Sequence, residues 1–128
     1  MTKQDFRTDF AKAKGNGSAR GGMHHWLMQR FTAIIIALCV IWIFYFAHSI
    51  SGKSSAEIAF ILHKPYNIIS LMILIIASFY HAALGMQVVV EDYVPNLCMR
   101  YSLILVIKLF SYVTMFSAVT ALVYLMVL

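Results

Sequence analysis

Charged residues are scarce in this sequence. Only 12% of its 128 residues are Asp, Glu, Lys or Arg, whereas 62% are hydrophobic. A typical globular chain carries about 25% charged residues, which it needs to cover its surface in water. The shortage excludes a water-soluble globule of this size and indicates a chain that lies in lipid. Little sequence then remains for a catalytic domain in water, so any enzyme chemistry must be shared with partner subunits.

Cysteine is nearly absent as well. Cys39 falls in an apolar run and Cys98 in a short loop, and the sequence contains no CxxC or CxxCH motif. These features disfavour a disulfide framework and covalently attached c-type haem.

The N-terminus also lacks the pattern of a secretory signal and contains Asp5 and Asp9, which a mitochondrial transit peptide usually avoids. We therefore expect the bacterial cytoplasmic (inner) membrane rather than the mitochondrial inner membrane.

Long hydrophobic runs are what the sequence does have. Phe31–Ile50 is twenty residues without a charge, which as a helix measures about 30 Å and matches the hydrocarbon core of a bilayer. A second run opens after Pro65 and a third ends at the C-terminus. We predict an all-α integral membrane protein, one domain over residues 1–128, that forms part of a multi-subunit helical bundle. The predicted parts are a cytoplasmic tail over 1–25 and spans over about 26–50, 66–93 and 101–127.

Two local signals lie between the first two spans. Ser54 and Glu57 have the spacing of a capping box and precede a short apolar run, which predicts a short helix on the membrane surface. Pro65 stands where proline is favoured, in the first turn of a helix.

In the tail, Phe6 and Phe10 recur at helical spacing, which is typical either of an interfacial helix or of a solvated tail.

Basic residues set the expected orientation. Most of the formal charge of +5 comes from the first 30 residues. Because cytoplasmic segments of membrane proteins are enriched in Lys and Arg, we predict that the N-terminus is inside and the C-terminus outside. The charges are too few, and their segment too short, for a nucleic-acid interface, so membrane lipid is the expected contact.

His81 is the polar residue that most needs an explanation. It lies nine residues before Val90, where the apolar run of the second span ends, at a depth of about 13 Å by helical rise. There it must face protein or a cofactor, since a polar group in lipid costs free energy. It either bridges helices through a hydrogen bond or ligates a haem iron. Ala77 and Gly85, one turn away on either side, leave room for a flat ring or equally for close helix packing.

The other histidines lie at the wrong depth to share an iron with His81. His48 is near the outer end of the first span, His63 is in the outer loop, and His24 and His25 are at the inner surface. Two axial ligands must straddle one iron. A bis-histidine haem would therefore take its second histidine from a partner subunit.

Three further residues stand at the inner membrane surface. Asp92 follows His81 by eleven residues, about 20° beyond three full turns, which puts both on one helix face. Asp92 and Tyr93 are either an ordinary helix end with an interfacial aromatic or a proton source and hydrogen-bond donor for a quinone. Arg30 is either a snorkelling anchor or a partner for haem propionates.

Taken together, these residues resemble the small hydrophobic membrane-anchor subunit of succinate dehydrogenase, an anchor of the cytochrome b type. The resemblance rests on His24 and Arg30–Ala33 at the start of the first span, on Tyr80–Met86 in the second, and on Glu91–Val94 at its end. It covers about Gly22–Arg100 and a generic third span. The ordered combination, rather than any one motif, is the specific feature.

The resemblance implies a subunit of succinate:quinone oxidoreductase (complex II), which works in the tricarboxylic acid cycle and the respiratory chain. Its partners would be a flavoprotein with FAD, an iron–sulfur subunit, and a second three-span anchor subunit that holds the other axial histidine of haem b. His81 would then be this chain's ligand to the haem iron. Tyr93 and Asp92 would bind ubiquinone, and Arg30 with His24 would face the haem propionates. The alternatives are the anchor of a related fumarate reductase and a non-redox assembly or transport protein.

Overall fold

The computed structural model describes the backbone of residues 19–127 and the side chains from residue 22 onward. This part of the chain forms four helices joined by short connections. The segment around Phe6 and Phe10, predicted as either an interfacial helix or a solvated tail, lies outside the described residues. The helices are α1 (Ala19–Ile50), α2 (Ser55–Leu62), α3 (Pro65–Tyr93) and α4 (Leu97–Val127).

Helices α1, α3 and α4 are each long and apolar enough to cross a membrane, which confirms the predicted all-α, three-span fold. The first helix already includes residues 19–25, which the sequence assigned to the tail, and it runs through Gly21 and Gly22. Glycine costs about 1 kcal/mol in a helix relative to alanine. Near a bilayer that cost is outweighed because backbone groups must be hydrogen-bonded within the helix.

The short helix α2 begins with the predicted capping box. The Ser54 hydroxyl accepts from the Glu57 backbone N–H, and the Glu57 carboxylate accepts from the Ser54 backbone N–H at 2.9 Å and from its hydroxyl at 2.8 Å. Hydrogen bonds from the Ser54 backbone and side chain, and then the charge of Lys53, lower the pKa of Glu57 below its ordinary value of 4.5. Gly52, at a φ of 71°, supplies the left-handed turn between α1 and α2.

The connection from α2 to α3 is held by side chains that bond to backbone. Buried Asn67 donates from Nδ2 to the Ile61 carbonyl at 2.7 Å. The His63 ring lies 2.7 Å from the Ala59 carbonyl through Nδ1 and 3.0 Å from the Leu125 carbonyl through Nε2. These contacts join α2 to the start of α3 and to the end of α4.

Helix α3 is the central helix, because it packs against both α1 and α4. The buried apolar residues of the described chain all belong to α3: Ile68, Ala77, Ala83, Leu84 and Val90. Helices α1 and α4 instead expose large apolar side chains such as Phe44 and Phe116. Such faces suit lipid or further helices. Following the predicted orientation, we call the end of the bundle where α1 begins the inner end and the end that carries α2 the outer end.

Candidate functional site

His81 on α3 is half-buried and its ring faces α1. Its Nδ1 lies 2.9 Å from the Thr32 hydroxyl oxygen, and its Nε2 lies 3.3 Å from the Gln29 side-chain nitrogen. Both contacts join the second span to the first. The structure thus shows His81 bridging two helices, which is one of the two roles that the sequence allowed. Thr32 contacts one ring nitrogen and Gln29 the other.

Thr32 is buried, with 6% of its surface exposed. Its hydroxyl oxygen lies 2.8 Å from the Met28 carbonyl and 3.1 Å from the Gln29 carbonyl. A threonine hydroxyl has one proton to donate and two lone pairs, and within a helix it commonly donates to the carbonyl four residues before it. When Thr32 donates to Met28 in this way, its oxygen accepts from an N–H on His81 Nδ1.

The side chain of Gln29 has fewer and longer hydrogen bonds than that of Thr32. Its amide nitrogen approaches His81 Nε2 at 3.3 Å, while its Oε1 is buried without a hydrogen-bond partner. Across from it, a Cβ added to Gly85 would lie 3.4 Å from the Gln29 amide nitrogen. Gly85 therefore serves close packing of α1 against α3. Ala77, the other small neighbour, lines an apolar cavity of about 290 Å³ with Thr32 and Tyr80.

A larger cavity of about 710 Å³ lies at the inner half of the bundle. Its volume is within the range of about 300–1,000 Å³ that is usual for small-molecule sites. The polar side chains of its lining are His24, His25, Gln29, Gln87, Glu91 and Lys108. The Nε2 of His25 is buried without a hydrogen-bond partner, whereas Gln87 donates to the Glu91 carboxylate at 2.6 Å. The cavity thus combines cationic and hydrogen-bonding groups with apolar walls.

The remaining predicted site residues are divided between this cavity and the surface. His24 lines the cavity. Arg30 is exposed, and its guanidinium lies 4.7 Å from the centre of the Trp26 ring. Asp92 and Tyr93, the last two residues of α3, are also exposed, Tyr93 by 80%, and neither lines the cavity. The described residues thus leave the Tyr93 side chain open at the inner end.

Sequence reasoning missed the roles of Thr32, Gln29 and His25. Thr32 and Gln29 are polar residues three positions apart in the first turns of an apolar span, which puts them on one helix face. That spacing was an available signal for a polar face opposite His81.

No group of three or more His, Cys, Asp or Glu side chains within residues 19–127 is placed to hold a bare metal ion. A haem needs only an axial ligand from the protein, because the porphyrin supplies four nitrogens. A single half-buried imidazole is therefore compatible with iron that arrives in a haem.

The fold and site define a polytopic helical membrane protein with a half-buried histidine in its central span. A family model described as "Succinate dehydrogenase/Fumarate reductase transmembrane subunit" matches residues 4–116, and the chain belongs to this family.

Its relatives include proteins named "Succinate dehydrogenase hydrophobic membrane anchor subunit" in two Rickettsia species. The Rickettsia bellii protein is 47% identical over 120 residues and the Rickettsia conorii protein 45% identical over 124. In both comparisons the match covers 94% of this chain and 96% of the relative. A "Succinate dehydrogenase membrane anchor subunit" of Reclinomonas americana is 32% identical over 78 residues, which cover 59% of this chain and 65% of that protein.

Proposed function

We propose that this chain anchors succinate dehydrogenase in the membrane, gives one axial ligand to haem b and forms part of the ubiquinone-reduction site. The matched relatives, two of them aligned over nearly their full length, support the enzyme. Three spans take up most of the described chain, which supports a subunit that acts only with others: a flavoprotein with FAD, an iron–sulfur subunit and a second anchor. The proposed host membrane is the bacterial inner membrane, with the N-terminus on the cytoplasmic side.

The contact between His81 and Thr32 is the observation that carries the haem assignment. With Thr32 donating to the Met28 carbonyl, Nδ1 of His81 carries the proton and Nε2 carries the lone pair. Metal-ligating histidines generally donate their other ring N–H to a fixed acceptor, which sets the tautomer and the ring orientation. This tautomer and this second partner are the ones that an axial ligand requires, which supports the proposal.

Gln29 occupies the Nε2 side of the ring in the isolated chain. Its hydrogen bond to Nε2 is long and its Oε1 has no partner, so moving this side chain costs less than breaking the contact with Thr32. Rotation of Gln29 frees the Nε2 lone pair while Nδ1 stays in place. When bound there, haem supplies a one-electron carrier within the membrane.

Haem carboxylates would be held at the inner end. Arg30 provides a permanent positive charge in the inner half of α1, two residues before Thr32, and its stacking on Trp26 restricts the guanidinium to that level. His24 lines the inner cavity and is the second candidate. Arginine binds carboxylates through paired, charge-assisted hydrogen bonds, so Arg30 is the stronger partner for a propionate.

The quinone site is assigned to the end of α3. The Tyr93 phenol is exposed, so it is free to donate a hydrogen bond to a quinone carbonyl oxygen once partner subunits cover it. Asp92 is adjacent, and its carboxylate is able to hold and pass a proton at the membrane surface. Quinone reduction consumes two protons, which makes a titratable group at this position useful.

The haem assignment is tested by the visible spectrum of the purified complex. We expect His81→Gly to lose the α-band of a b-type haem while the subunits still co-purify, and added imidazole to restore the band. His48→Gly is a matched control, because His48 is an exposed histidine at the outer end of α1. A His81→Gly complex with an unchanged spectrum would show that His81 only bridges the helices.

The family description also names fumarate reductase, which is the second candidate function. Turnover of the assembled enzyme in both directions separates the two. Faster succinate oxidation with ubiquinone supports the dehydrogenase, whereas faster fumarate reduction with a low-potential quinol would replace it with the reductase.

A further inference from the structure

A second sizeable cavity lies at the outer end, far from the proposed haem and quinone sites. It measures about 590 Å³ and is enclosed by the last turns of α1, the helix α2 and the start of α3. Six side chains of its lining carry the argument: Tyr45, Lys53, Glu57, Phe60, Lys64 and Tyr66. We call it the α2 cavity. The proposed function makes no use of it.

The α2 cavity carries an excess of positive charge. Lys53 and Lys64 precede and follow α2 in the chain and both line the cavity. The carboxylate of Glu57 also lines it, but its Oε2 already accepts two hydrogen bonds from Ser54. Glu57 is therefore engaged in capping α2 and offsets only one of the two ammonium charges.

Two further polar side chains line the cavity, Ser49 and Asn67, and they already donate to the Phe46 and Ile61 carbonyls. The rest of the lining is aromatic or apolar. Tyr45, Phe60 and Tyr66 are all more than half exposed, and the ammonium of Lys64 lies 5.7 Å from the centre of the Phe60 ring. Tyr45 lies five residues before the end of α1, which is about 7 Å deeper in the membrane than Ile50 by helical rise. The cavity thus extends from a cationic mouth towards the acyl-chain region.

We propose that the α2 cavity binds an anionic phospholipid, with its phosphate between Lys53 and Lys64 and an acyl chain along Tyr45 and Phe60. Two ammonium groups that line one cavity attract a phosphate headgroup by charge. A free phosphate ion would leave the aromatic walls unfilled. A quinone is neutral and would leave the ammonium pair without a counter-charge. A lipid matches both parts of the cavity.

Photo-crosslinking in reconstituted vesicles tests this proposal. The complete complex is placed in phosphatidylcholine vesicles with a trace of phosphatidylglycerol that carries a diazirine on its acyl chain, and labelled peptides are mapped by mass spectrometry. We expect labelling around Tyr45 and Phe60 to be about tenfold stronger than with an equivalent phosphatidylcholine probe, since two lysines act on the same anion. Lys53→Gln with Lys64→Gln should lower it to the phosphatidylcholine level.

Matched variants and competitors decide the interpretation. Lys53→Arg with Lys64→Arg keeps both charges and should keep the preference, and hydrogen exchange of α2 checks that the Gln variant remains folded. Equal labelling by the two probes, or unchanged labelling in a folded Gln variant, would overturn the proposal. Loss of labelling with excess inorganic phosphate would replace the lipid with a soluble anion, and loss with excess ubiquinone would replace it with a quinone.

Discussion

The hydroxyl of Thr32 offers the sharpest test of how His81 is prepared for a haem. Thr32→Val replaces the hydroxyl by a methyl group and keeps the branched shape of the side chain. In the proposed tautomer, the N–H on His81 Nδ1 donates to the Thr32 hydroxyl oxygen 2.9 Å away, and in Thr32→Val it has no acceptor in the position the structure provides. The substitution therefore removes the contact with His81 and the hydroxyl's own bond to the Met28 carbonyl, and it leaves the packing of α1 against α3 nearly unchanged.

The size of the effect follows from the burial of the pair. A buried donor left without an acceptor costs about 1–3 kcal/mol, and loss of such an outer partner typically lowers metal affinity about 10- to 100-fold. The missing bond also makes the imidazole a weaker electron donor, so ferric haem loses more stability than ferrous haem. We expect the haem midpoint potential to rise, by about 59 mV for each tenfold difference between the two affinities.

Haem content and a redox titration of the purified complex measure both quantities. Thr32→Ser keeps an oxygen at this position and should restore most of the wild-type values. Thr120→Val is the control for loss of a hydroxyl, because Thr120 is exposed and its hydroxyl donates to the Phe116 carbonyl of its own helix. Wild-type haem content and potential in Thr32→Val would refute the assigned tautomer and the role of Thr32.

Three other substitutions test neighbouring parts of the structure. Tyr93→Phe should lower quinone reduction about 10-fold or more through loss of one hydrogen-bond donor, yet leave succinate oxidation by a soluble acceptor intact; equal loss of both activities would indicate an assembly defect. Gly85→Ala should change the free energy of unfolding by less than about 1 kcal/mol, because the new Cβ would lie 3.4 Å from the amide at the end of the long Gln29 side chain. Gly85→Leu should displace Gln29. Thermal unfolding in detergent compares the two variants with the wild type. The lowered pKa of Glu57 means that its capping contribution to α2 is complete above its ordinary value of 4.5 and is lost as pH falls through the lower, folded-state pKa. A spin label at Ala59 should gain mobility over that acidic range in the wild type but not in Glu57→Gln.

Several features of this fold follow from local sequence alone. A run such as Phe31–Ile50 has one low-energy option in a bilayer, because only a helix satisfies its backbone groups internally. The capping box of Ser54 with Glu57 and the first-turn position of Pro65 depend on neighbours a few residues away, and the structure confirms both. The structure begins α1 at Ala19, ahead of the predicted span of about 26–50, and the helix continues through Gly21 and Gly22.

The sequence by itself determined that the chain has three spans long and apolar enough to cross a membrane, and it predicted that His81 lies at depth in the second of them. Hydropathy and helical rise depend only on residue order, so they place each residue at a depth. The rotation of one helix against its neighbour depends on the packing of side chains far apart in sequence. Only the tertiary structure therefore decided that His81 faces Thr32 and Gln29, and that Lys53 and Lys64 line one cavity.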